Sequence, residues 1–345
     1  MPGNIKSKTL IQLGRLPVPI SLFQKFVTRH VVGFVLHIIS DNPVPHTKNI
    51  YPAKSTGLFE QDLLFLKRHF NFIGYDDLLS ANHLSENAAI MSFDDGFAEC
   101  FSTARPLFLK HEVPCIFFIT EFFIDNRRMF LRNKMSLCVE KLRSMAPDEK
   151  AEAIGQISTA FELRLDSPAS LEKWLKSLDS PDEEVLDKAC RLLGVDTKRY
   201  LAVNRPYLTT EQVQQMSREG FTFGGHAKTH KRLQLLKNND EIEEEIAGSC
   251  MFVKDLTGQE SVPFAFPYDG AGIDTAFLKN LTLKHSFIGP FFDTGKLRET
   301  ADFIINRITL DGTNSAADRI VRSAYIRQLA RQTLRRSQRP LSIWK

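Results

Sequence analysis

The sequence predicts an α/β fold in which mostly parallel strands form a barrel-like sheet. Short β-branched or aromatic runs alternate along the chain with longer helical patterns, as strand–helix–strand units require. We expect strands at six positions, namely residues 31–39, 88–93, 115–120, 221–224, 262–266 and 285–288. The second and third of these runs are apolar without alternation, which indicates strands that are covered on both faces.

The segments between these strands predict helices. Residues 97–110 have room for one crossover helix. Residues 126–204 break the strand–helix rhythm, and their richness in Glu, Lys, Leu and Ala predicts a helical insertion that caps or flanks the barrel. Thr209 followed by Gln212 is typical of a helix N-terminus, and residues 240–256 repeat apolar side chains on one helical face.

Length and composition indicate one large globular unit with additions. With 345 residues, of which 43% are hydrophobic and 25% charged, the chain can bury a large core and differs from disordered or fibrous proteins. We expect an N-terminal extension over residues 1–30 and a main domain over residues 31–310 that contains the insertion. A basic C-terminal helix or tail follows over residues 311–345.

The positive charge of the chain belongs to its tail. Residues 316–345 contain eight Lys or Arg against the single acid Asp318, so the remainder of the chain carries −3 of the total of +4 (4 − 7). Ser315 with Asp318 predicts a capping box at the start of a basic amphipathic helix. We favour a helix that packs on the core over one that lies on an anionic membrane surface. Nucleic acid is not an expected partner, because aromatic interleaving is lacking.

The cysteines and apolar segments favour a cytoplasmic location. Five cysteines without any Cys-x-x-Cys pair indicate neither a disulfide framework nor a cysteine zinc site. Residues 1–28 lack a long apolar run followed by a small-residue cleavage site, so we expect no cleaved signal peptide. The apolar segment 31–39 is far shorter than the roughly 20 residues of a membrane span. Membrane association through the basic helix is the alternative to a fully cytoplasmic protein.

Two adjacent carboxylates follow the strand predicted at residues 88–93. Consecutive side chains inside a strand point to opposite faces, so one of Asp94 and Asp95 would be buried there without a reason. Gly96 permits a sharp turn, and both carboxylates can then project toward the mouth of the barrel, where catalytic groups lie. One could bind a metal and the other accept a proton from water. The alternative is an Asp-Gly turn with helix-capping aspartates.

Two histidines, His226 and His230, follow the strand predicted at residues 221–224. Their spacing lets them share one ion if they lie on a helical turn or in a tight loop. Two imidazoles and one carboxylate leave a position of the ion open, as a catalytic site requires. Zinc is the expected metal, while cobalt, nickel, iron and manganese also suit these ligands. Two unrelated histidines on an exposed helix are the alternative, which the nearby carboxylates disfavour.

Three motifs together resemble those of a known family. Ser92-Phe93-Asp94-Asp95-Gly96, Gly225-His226-Ala227-Lys228-Thr229-His230 and Phe264-Ala265-Phe266-Pro267-Tyr268 are similar, in this order, to the successive motifs of the polysaccharide deacetylase (NodB-homology) family. The resemblance spans about residues 31–310 and leaves out the helical insertion and the basic tail. It implies a distorted (β/α) barrel, a divalent metal held by an Asp-His-His triad, and hydrolysis of an N-acetyl group from an amino sugar.

The same resemblance implies a role for each motif residue. Asp94 would be the general base. The metal ligands would be Asp95, His226 and His230. The segment Phe266-Pro267-Tyr268 would wall the substrate groove and offer a backbone N–H near Tyr268 to the oxyanion, although Tyr268 could instead pack in the core.

Two features depart from the family pattern. The usual arginine of the third motif is replaced by Ala265, and the usual Leu-x-x-His ending is lacking near the C-terminus. Val35-Leu36-His37 ends the first strand and resembles the opening strand of the polymeric glucosamine deacetylase branch of the family. This resemblance implies that His37 supplies the general acid, with a core histidine as the alternative. For the arginine, Arg307 near the end of a later strand could reach Asp94, and Arg205 is the second candidate. Either arginine could instead be a surface charge.

Three hypotheses for function follow. The first is a metal-dependent deacetylase that acts on an N-acetylated carbohydrate. The second is an amide hydrolase of the same fold that acts on a formylated, lipid-linked or small-molecule substrate. The third is a carbohydrate-binding protein that has lost catalysis, as the replacement at Ala265 would allow. The retained Asp94 argues against the third, because a binding protein needs no base beside its metal ligands.

Overall fold

A closed barrel of seven parallel strands forms the centre of the protein. We describe a computed structural model over residues 14, 18–27, 31–80, 84–298, 300–311 and 315–337. The barrel order is β1, β8, β7, β6, β5, β4 and β3, and it closes because β1 also pairs with β3. This confirms the predicted barrel. The strands are β1 (Val32–Leu36), β3 (Ala88–Phe93), β4 (Cys115–Ile119), β5 (Thr222–Gly225), β6 (Val262–Ala265), β7 (Ile288–Asp293) and β8 (Ile304–Thr309).

The six predicted strands correspond to β1 and to β3 through β7, and β8 contains the further strand expected near Arg307. Three details differ from the predictions. A short strand β2 (Asn71–Phe72) pairs with the first two residues of β3 and was not predicted. β7 begins where the prediction of residues 285–288 ends, because the preceding helix runs to Lys284. The crossover between β3 and β4 is a π-helical turn (Cys100–Ala104) that continues into an α-helix (Arg105–His111).

Helices surround the barrel and bury its outer surface. The outer core includes Phe59, Phe93, Phe117 and Phe223, each with no more than 1% of its surface exposed. The surrounding helices are α1 (Ile20–Phe26), α2 (Thr56–His69), α3 (Tyr75–Leu79), α4 (Arg105–His111), α10 (Thr210–Arg218), α11 (Asn239–Thr257), α12 (Thr275–Lys284) and α13 (Ala317–Ser337). Helix α10 begins with the expected reciprocal bonds between Thr209 and Gln212.

The basic helix α13 packs against α1, α2 and β8. It begins at Ala317, so the capping box predicted for Ser315 and Asp318 is wrong. Asp62 of α2 accepts a hydrogen bond from the Ala317 N–H (2.7 Å) and is itself paired with buried Lys54. An acid from another helix therefore caps α13. Among the described residues, no helix combines the length and apolar character needed to cross a membrane.

Five further helices between β4 and β5 form a layer with its own core. They are α5 (Leu131–Ser144), α6 (Pro147–Ala160), α7 (Pro168–Ser177), α8 (Glu183–Leu192) and α9 (Thr197–Asn204). Leu142, Ile157, Leu171 and Leu186 are at most 1% exposed because these helices pack against one another. We call them the helical layer. Tyr207 joins this layer to the barrel, since its ring stacks on Phe97 at 5.7 Å.

Side chains fill the interior of the barrel, so it is a packed core and not a channel. Phe118, Ala265 and Phe292 lie inside it with no exposed surface. Gly224 is required beside Phe118, because a Cβ there would lie 2.4 Å from the Phe118 ring. Parallel strands all end at one face of the barrel, and loops at that face are the expected place for a functional site.

Candidate active site

The loops that follow β1, β3, β5 and β6 bring the predicted site residues to one face. His37 follows β1, and Asp94 and Asp95 follow β3. The segment that holds both histidines follows β5, and Tyr268 follows β6 shortly afterwards. The parallel strand order therefore assembles residues that are far apart in the sequence.

Asp95, His226 and His230 form a compact cluster of candidate metal ligands. One ligand atom from each lies within 4.8 Å of the others, and the three residues are at most 5% exposed. Asp95 Oδ1 lies 3.0 Å from His230 Nε2 and 3.5 Å from His226 Nε2. Burial opposes ionisation of Asp95, but the hydrogen bonds with His226 and His230 hold its pKa well below the usual range.

The donor set of this cluster suits a divalent cation. His226 Nδ1 lies 2.8 Å from the carbonyl oxygen of Ala265, which is an acceptor, so Nδ1 donates to this oxygen and Nε2 is the ring atom that faces Asp95. A histidine that donates its second nitrogen to a carbonyl is typical of metal sites. The Nδ1 atom of His230 is buried and has no hydrogen-bond partner among the described residues.

The backbone at the site is held in an unusual conformation. Asp95, Ala227, His230 and Tyr268 all have positive φ angles, between 61° and 72°. Residues other than glycine adopt this left-handed region at a cost of about 1–3 kcal/mol each, and such residues cluster at functional sites. Gly96 (φ 67°) continues the turn after Asp95 and packs against Ile119. The two aspartates thus lie in a strained turn at the end of β3.

Arg307 binds Asp94 inside the barrel. Its Nη1 donates to Asp94 Oδ1 at 2.6 Å, and its Nη2 donates to Oδ2 at 2.8 Å. Nη1 also donates to Ser92 Oγ at 3.0 Å, and the guanidinium lies 5.1 Å above the ring of Phe118. Arg307 has no exposed surface. Burial would raise the pKa of Asp94, but the Arg307 charge outweighs it, so the pKa is lowered and the carboxylate is ionised.

A glycine on the neighbouring strand makes room for this arginine. Gly33 of β1 is paired with Arg307 of β8, and a Cβ on Gly33 would lie 2.6 Å from Arg307 Cγ. Sequence reasoning did not single out Gly33. Ala265 of β6 also lies inside the barrel and is small. Arg307 on β8 is thus the arginine that contacts Asp94, while position 265 on β6 carries an alanine. Arg205, the second candidate, is an exposed residue at the end of α9.

His37 forms a pair with Asp311 that sequence reasoning missed. The ring atom Nδ1 lies 2.9 Å from Asp311 Oδ2, and the His37 backbone N–H donates to the same oxygen at 2.7 Å. Burial lowers the pKa of His37, but the charge of Asp311 and its hydrogen bond outweigh burial and raise the pKa to about 10. The side chain keeps 24% of its surface exposed. The available signal was the position of Asp311 just after β8.

The third motif contributes only one residue to the cleft. Phe266 is 1% exposed and stacks on Phe291 at 5.5 Å in the outer core, so it does not wall a groove as predicted. Pro267, which lies between Phe266 and Tyr268 in the sequence, is also buried. Tyr268 lines the cleft, and Arg232 lies 3.8 Å above its ring. The alternation of side chains at the end of β6 explains why neighbours in the motif face different sides.

A cleft of about 410 Å³, including its open mouth, is lined in part by His230 of the metal-ligand cluster. One side is formed by Thr229, His230 and Tyr268 from the barrel loops. The opposite side comes from the segment before α5 and from the start of α8, so the helical layer borders the site. The full lining is Phe122, Phe123, Arg128, Met129, Phe130, Leu131, Ser180, Glu183, Thr229, His230, Lys231 and Tyr268.

Comparisons with known proteins agree with this geometry. A family model described as polysaccharide deacetylase matches residues 181–284, a segment that contains the second and third motifs but not Asp94 and Asp95. No curated protein matches the sequence. Together with the shared fold, the family model confirms the resemblance to the polysaccharide deacetylase family. That family implies a hydrolase that acts on carbon–nitrogen bonds.

Solved structures with a similar fold include three bacterial proteins. Streptococcus pyogenes deacetylase PplD in complex with acetate has a TM-score of 0.50 at 14% identity, over 84% of this chain and 95% of that one. BC0361, a polysaccharide deacetylase from Bacillus cereus, has a TM-score of 0.51 at 13% identity, over 85% of this chain and 68% of that one. IcaB from Ammonifex degensii has a TM-score of 0.50 at 16% identity, over 86% and 97%. At these identities the likeness shows the fold.

Proposed function

We propose that this protein is a metal-dependent hydrolase that removes N-acetyl groups from an amino sugar in a polysaccharide or oligosaccharide. The observation that carries the proposal is the placement of an ionised, arginine-bound carboxylate, Asp94, next to the cluster of Asp95, His226 and His230. A base beside candidate metal ligands is what hydrolysis requires.

The cluster is the proposed place of one divalent ion, with zinc expected. Asp95, His226 and His230 would hold it through one carboxylate oxygen and two imidazole nitrogens. Such an ion supplies Lewis acidity, which polarises a carbonyl group and lowers the pKa of water. The three side chains leave coordination positions open, as a catalytic site requires.

Asp94 is the proposed general base. Each of its oxygens accepts one bond from Arg307 and keeps a second lone pair free for a water molecule. Because Arg307 lowers the pKa of Asp94, the carboxylate is ionised near neutral pH and can accept a proton, while the same shift weakens it as a base. The water that loses this proton attacks the amide carbonyl carbon, and the backbone N–H of Tyr268 is the proposed donor to the resulting oxyanion.

His37 is the proposed general acid. Departure of the sugar amine requires a proton, and a positioned acid contributes roughly 10²- to 10⁴-fold. Asp311 holds the ring through Nδ1, which leaves Nε2 to donate. A pKa of about 10 keeps His37 protonated at neutral pH. The same pKa limits its strength as an acid, so loss of Asp311 is a direct test of the role.

The test of the proposal also covers a substrate that carries a different acyl group or a lipid and is hydrolysed at the same site. A formylated or lipid-linked amide would use the same base and acid, since both act on the carbonyl and on the nitrogen. The third hypothesis, a protein that only binds carbohydrate, is disfavoured by the two hydrogen bonds that orient Asp94. We propose a cytoplasmic location, with peripheral membrane contact through α13 as an addition.

The test combines metal content with acyl release. Purified protein is analysed for bound metals, and acetate and formate are measured with N-acetylated and N-formylated amino sugars. We expect the wild type to bind nearly one metal ion per chain, and the double variant His226→Ala with His230→Ala to bind none. We also expect the wild type to release acetate, and Asp94→Asn to bind metal without releasing acetate. Formate without acetate would redirect the substrate. Unchanged turnover of Asp94→Asn would refute the assigned base, and a protein that neither binds metal nor gains activity with added metal would refute the hydrolase.

A further inference from the structure

We infer that the cleft binds an N-acylated amino sugar that carries an anionic group, which deepens the proposed function and rests on it. Two cations, Arg128 and Lys231, line the cleft together with the candidate metal ligand His230. Neither cation forms a salt bridge or a side-chain hydrogen bond with any described residue. Most other arginines around the site are paired with acids, so the lack of an acidic partner distinguishes Arg128 and Lys231 from them.

The paired arginines show the contrast. Arg232 bonds to Asp179 through Nε at 2.9 Å, and Arg132 lies 3.8 Å from the same carboxylate. Arg307 is bound to Asp94. These cations already have acidic partners: Arg232 joins a barrel loop to Asp179 of the helical layer, Arg132 lies within that layer, and Arg307 orients the proposed base. Arg128 and Lys231 line the cleft and are exposed, and no described acid is paired with either of them.

One carboxylate also lines the cleft, and another residue neutralises it. Glu183 pairs with Lys134 at 2.9 Å, and Lys134 binds Asp187 as well. The charged residues in the lining are thus two unpaired cations and one paired acid. An anion attached to the substrate would therefore meet attraction and little repulsion.

Arg128 is also held in place. Its guanidinium lies 5.0 Å above the ring of Phe122, another lining residue, and such stacking restricts the side chain. Lys231 directly follows His230, so its backbone is fixed by the strained loop of the cluster. A planar guanidinium and a point-charge ammonium both suit phosphate and carboxylate groups. The aromatic lining residues Phe122, Phe130 and Tyr268 provide apolar surface for the sugar ring.

The experiment compares neutral and anionic sugars with matched variants. The substrates are N-acetylglucosamine, its 6-phosphate, its 1-phosphate and N-acetylmuramic acid, which carries a carboxylate. The variant is Arg128→Gln with Lys231→Gln, and the control is Arg218→Gln with Lys279→Gln, two exposed cations on α10 and α12 outside the cleft. The measured quantity is the ratio of kcat/KM for each anionic sugar to that for the neutral sugar.

We expect wild type and control to prefer at least one anionic sugar, and the preferred sugar identifies the group as phosphate or carboxylate. The preference of the cleft variant should fall by about tenfold for each cation removed, because each cation is expected to contribute roughly one charge-assisted hydrogen bond. Preference should also fall as salt is raised. A wild-type ratio near one for all three anionic sugars, or an equal loss in the control, overturns the inference.

Binding separates this inference from the proposed function. If none of these four monosaccharides is hydrolysed, the deacetylase proposal is decided by the acyl-release assay described above, and calorimetric titration of the two phosphate sugars and N-acetylmuramic acid still tests the cleft. Tighter binding of an anionic sugar by wild type than by the Arg128→Gln, Lys231→Gln variant supports the anion site without catalysis. Equal binding by the two proteins overturns it.

Discussion

Replacement of Arg307 by methionine should destabilise the protein far more than replacement of a surface arginine. Asp94 would stay buried, at 3% exposure, without the two hydrogen bonds of 2.6 and 2.8 Å that now compensate its charge. Breaking one side of a buried ion pair costs about 3–5 kcal/mol. The matched control is Arg105→Met, which removes a pair with Glu219 that is only partly buried and should cost about 0–1 kcal/mol.

The dependence of this loss on pH distinguishes a buried charge from lost packing. In wild type the lowered pKa of Asp94 stabilises the fold above its unfolded value of about 3.9, and this stabilisation is lost as pH falls through the folded pKa. Without Arg307, burial loses the strongest charge that opposes it, so the pKa of Asp94 should rise. The loss in Arg307→Met should therefore grow from pH 5 to pH 8, and adding Asp94→Asn should reduce it.

Urea denaturation of the four proteins at both pH values is the assay. A loss below about 1 kcal/mol for Arg307→Met, or one that does not change with pH, would refute the assignment of Arg307 as the partner of a buried charge. Moving the arginine from position 307 to position 265 gives a second check, because Ala265 also lies in the barrel interior. Ala265→Arg in the Arg307→Ala background should recover part of the activity, whereas Ala265→Arg alone should overpack the core.

Three further predictions concern the acid, the metal and the basic helix. Asp311→Asn should lower the pKa of His37 from about 10, so the alkaline limb of the rate profile should move to lower pH, and an unmoved limb would exclude His37 as the acid. Removal of metal by a chelator should lower the melting temperature of wild type but not that of His226→Ala with His230→Ala, since a ligand that binds only the folded state stabilises it. If α13 contacts membranes, the wild type should sediment with anionic vesicles, and replacing the exposed Leu22 and Phe26 of neighbouring α1 by serine should reduce this sedimentation. The control, replacement of exposed Leu283 by serine, should not reduce it. Absence of sedimentation of the wild type would exclude the contact.

Local sequence was sufficient for most strands of the barrel and for the first two motifs. Strand positions follow from apolar runs, and the turn at Asp94, Asp95 and Gly96 follows from the conflict between adjacent carboxylates and a buried strand. The spacing of His226 and His230 predicted that they share one helical turn or tight loop, and in the structure they lie in a loop close to Asp95. These features depend on neighbours in the chain, so the sequence contains them directly.

The partners that act across the barrel were decided by tertiary structure. Arg307 and Asp94 are 213 positions apart, and His37 and Asp311 are 274 apart. Both pairs form because β8 lies beside β1 and closes the ring, which no local pattern encodes. The same closure makes Gly33 necessary and leaves Phe266 in the outer core. The sequence by itself determined which chemical groups are present, and the closing of the barrel decided which of them meet, because a contact between distant strands depends on the order and register of the whole sheet.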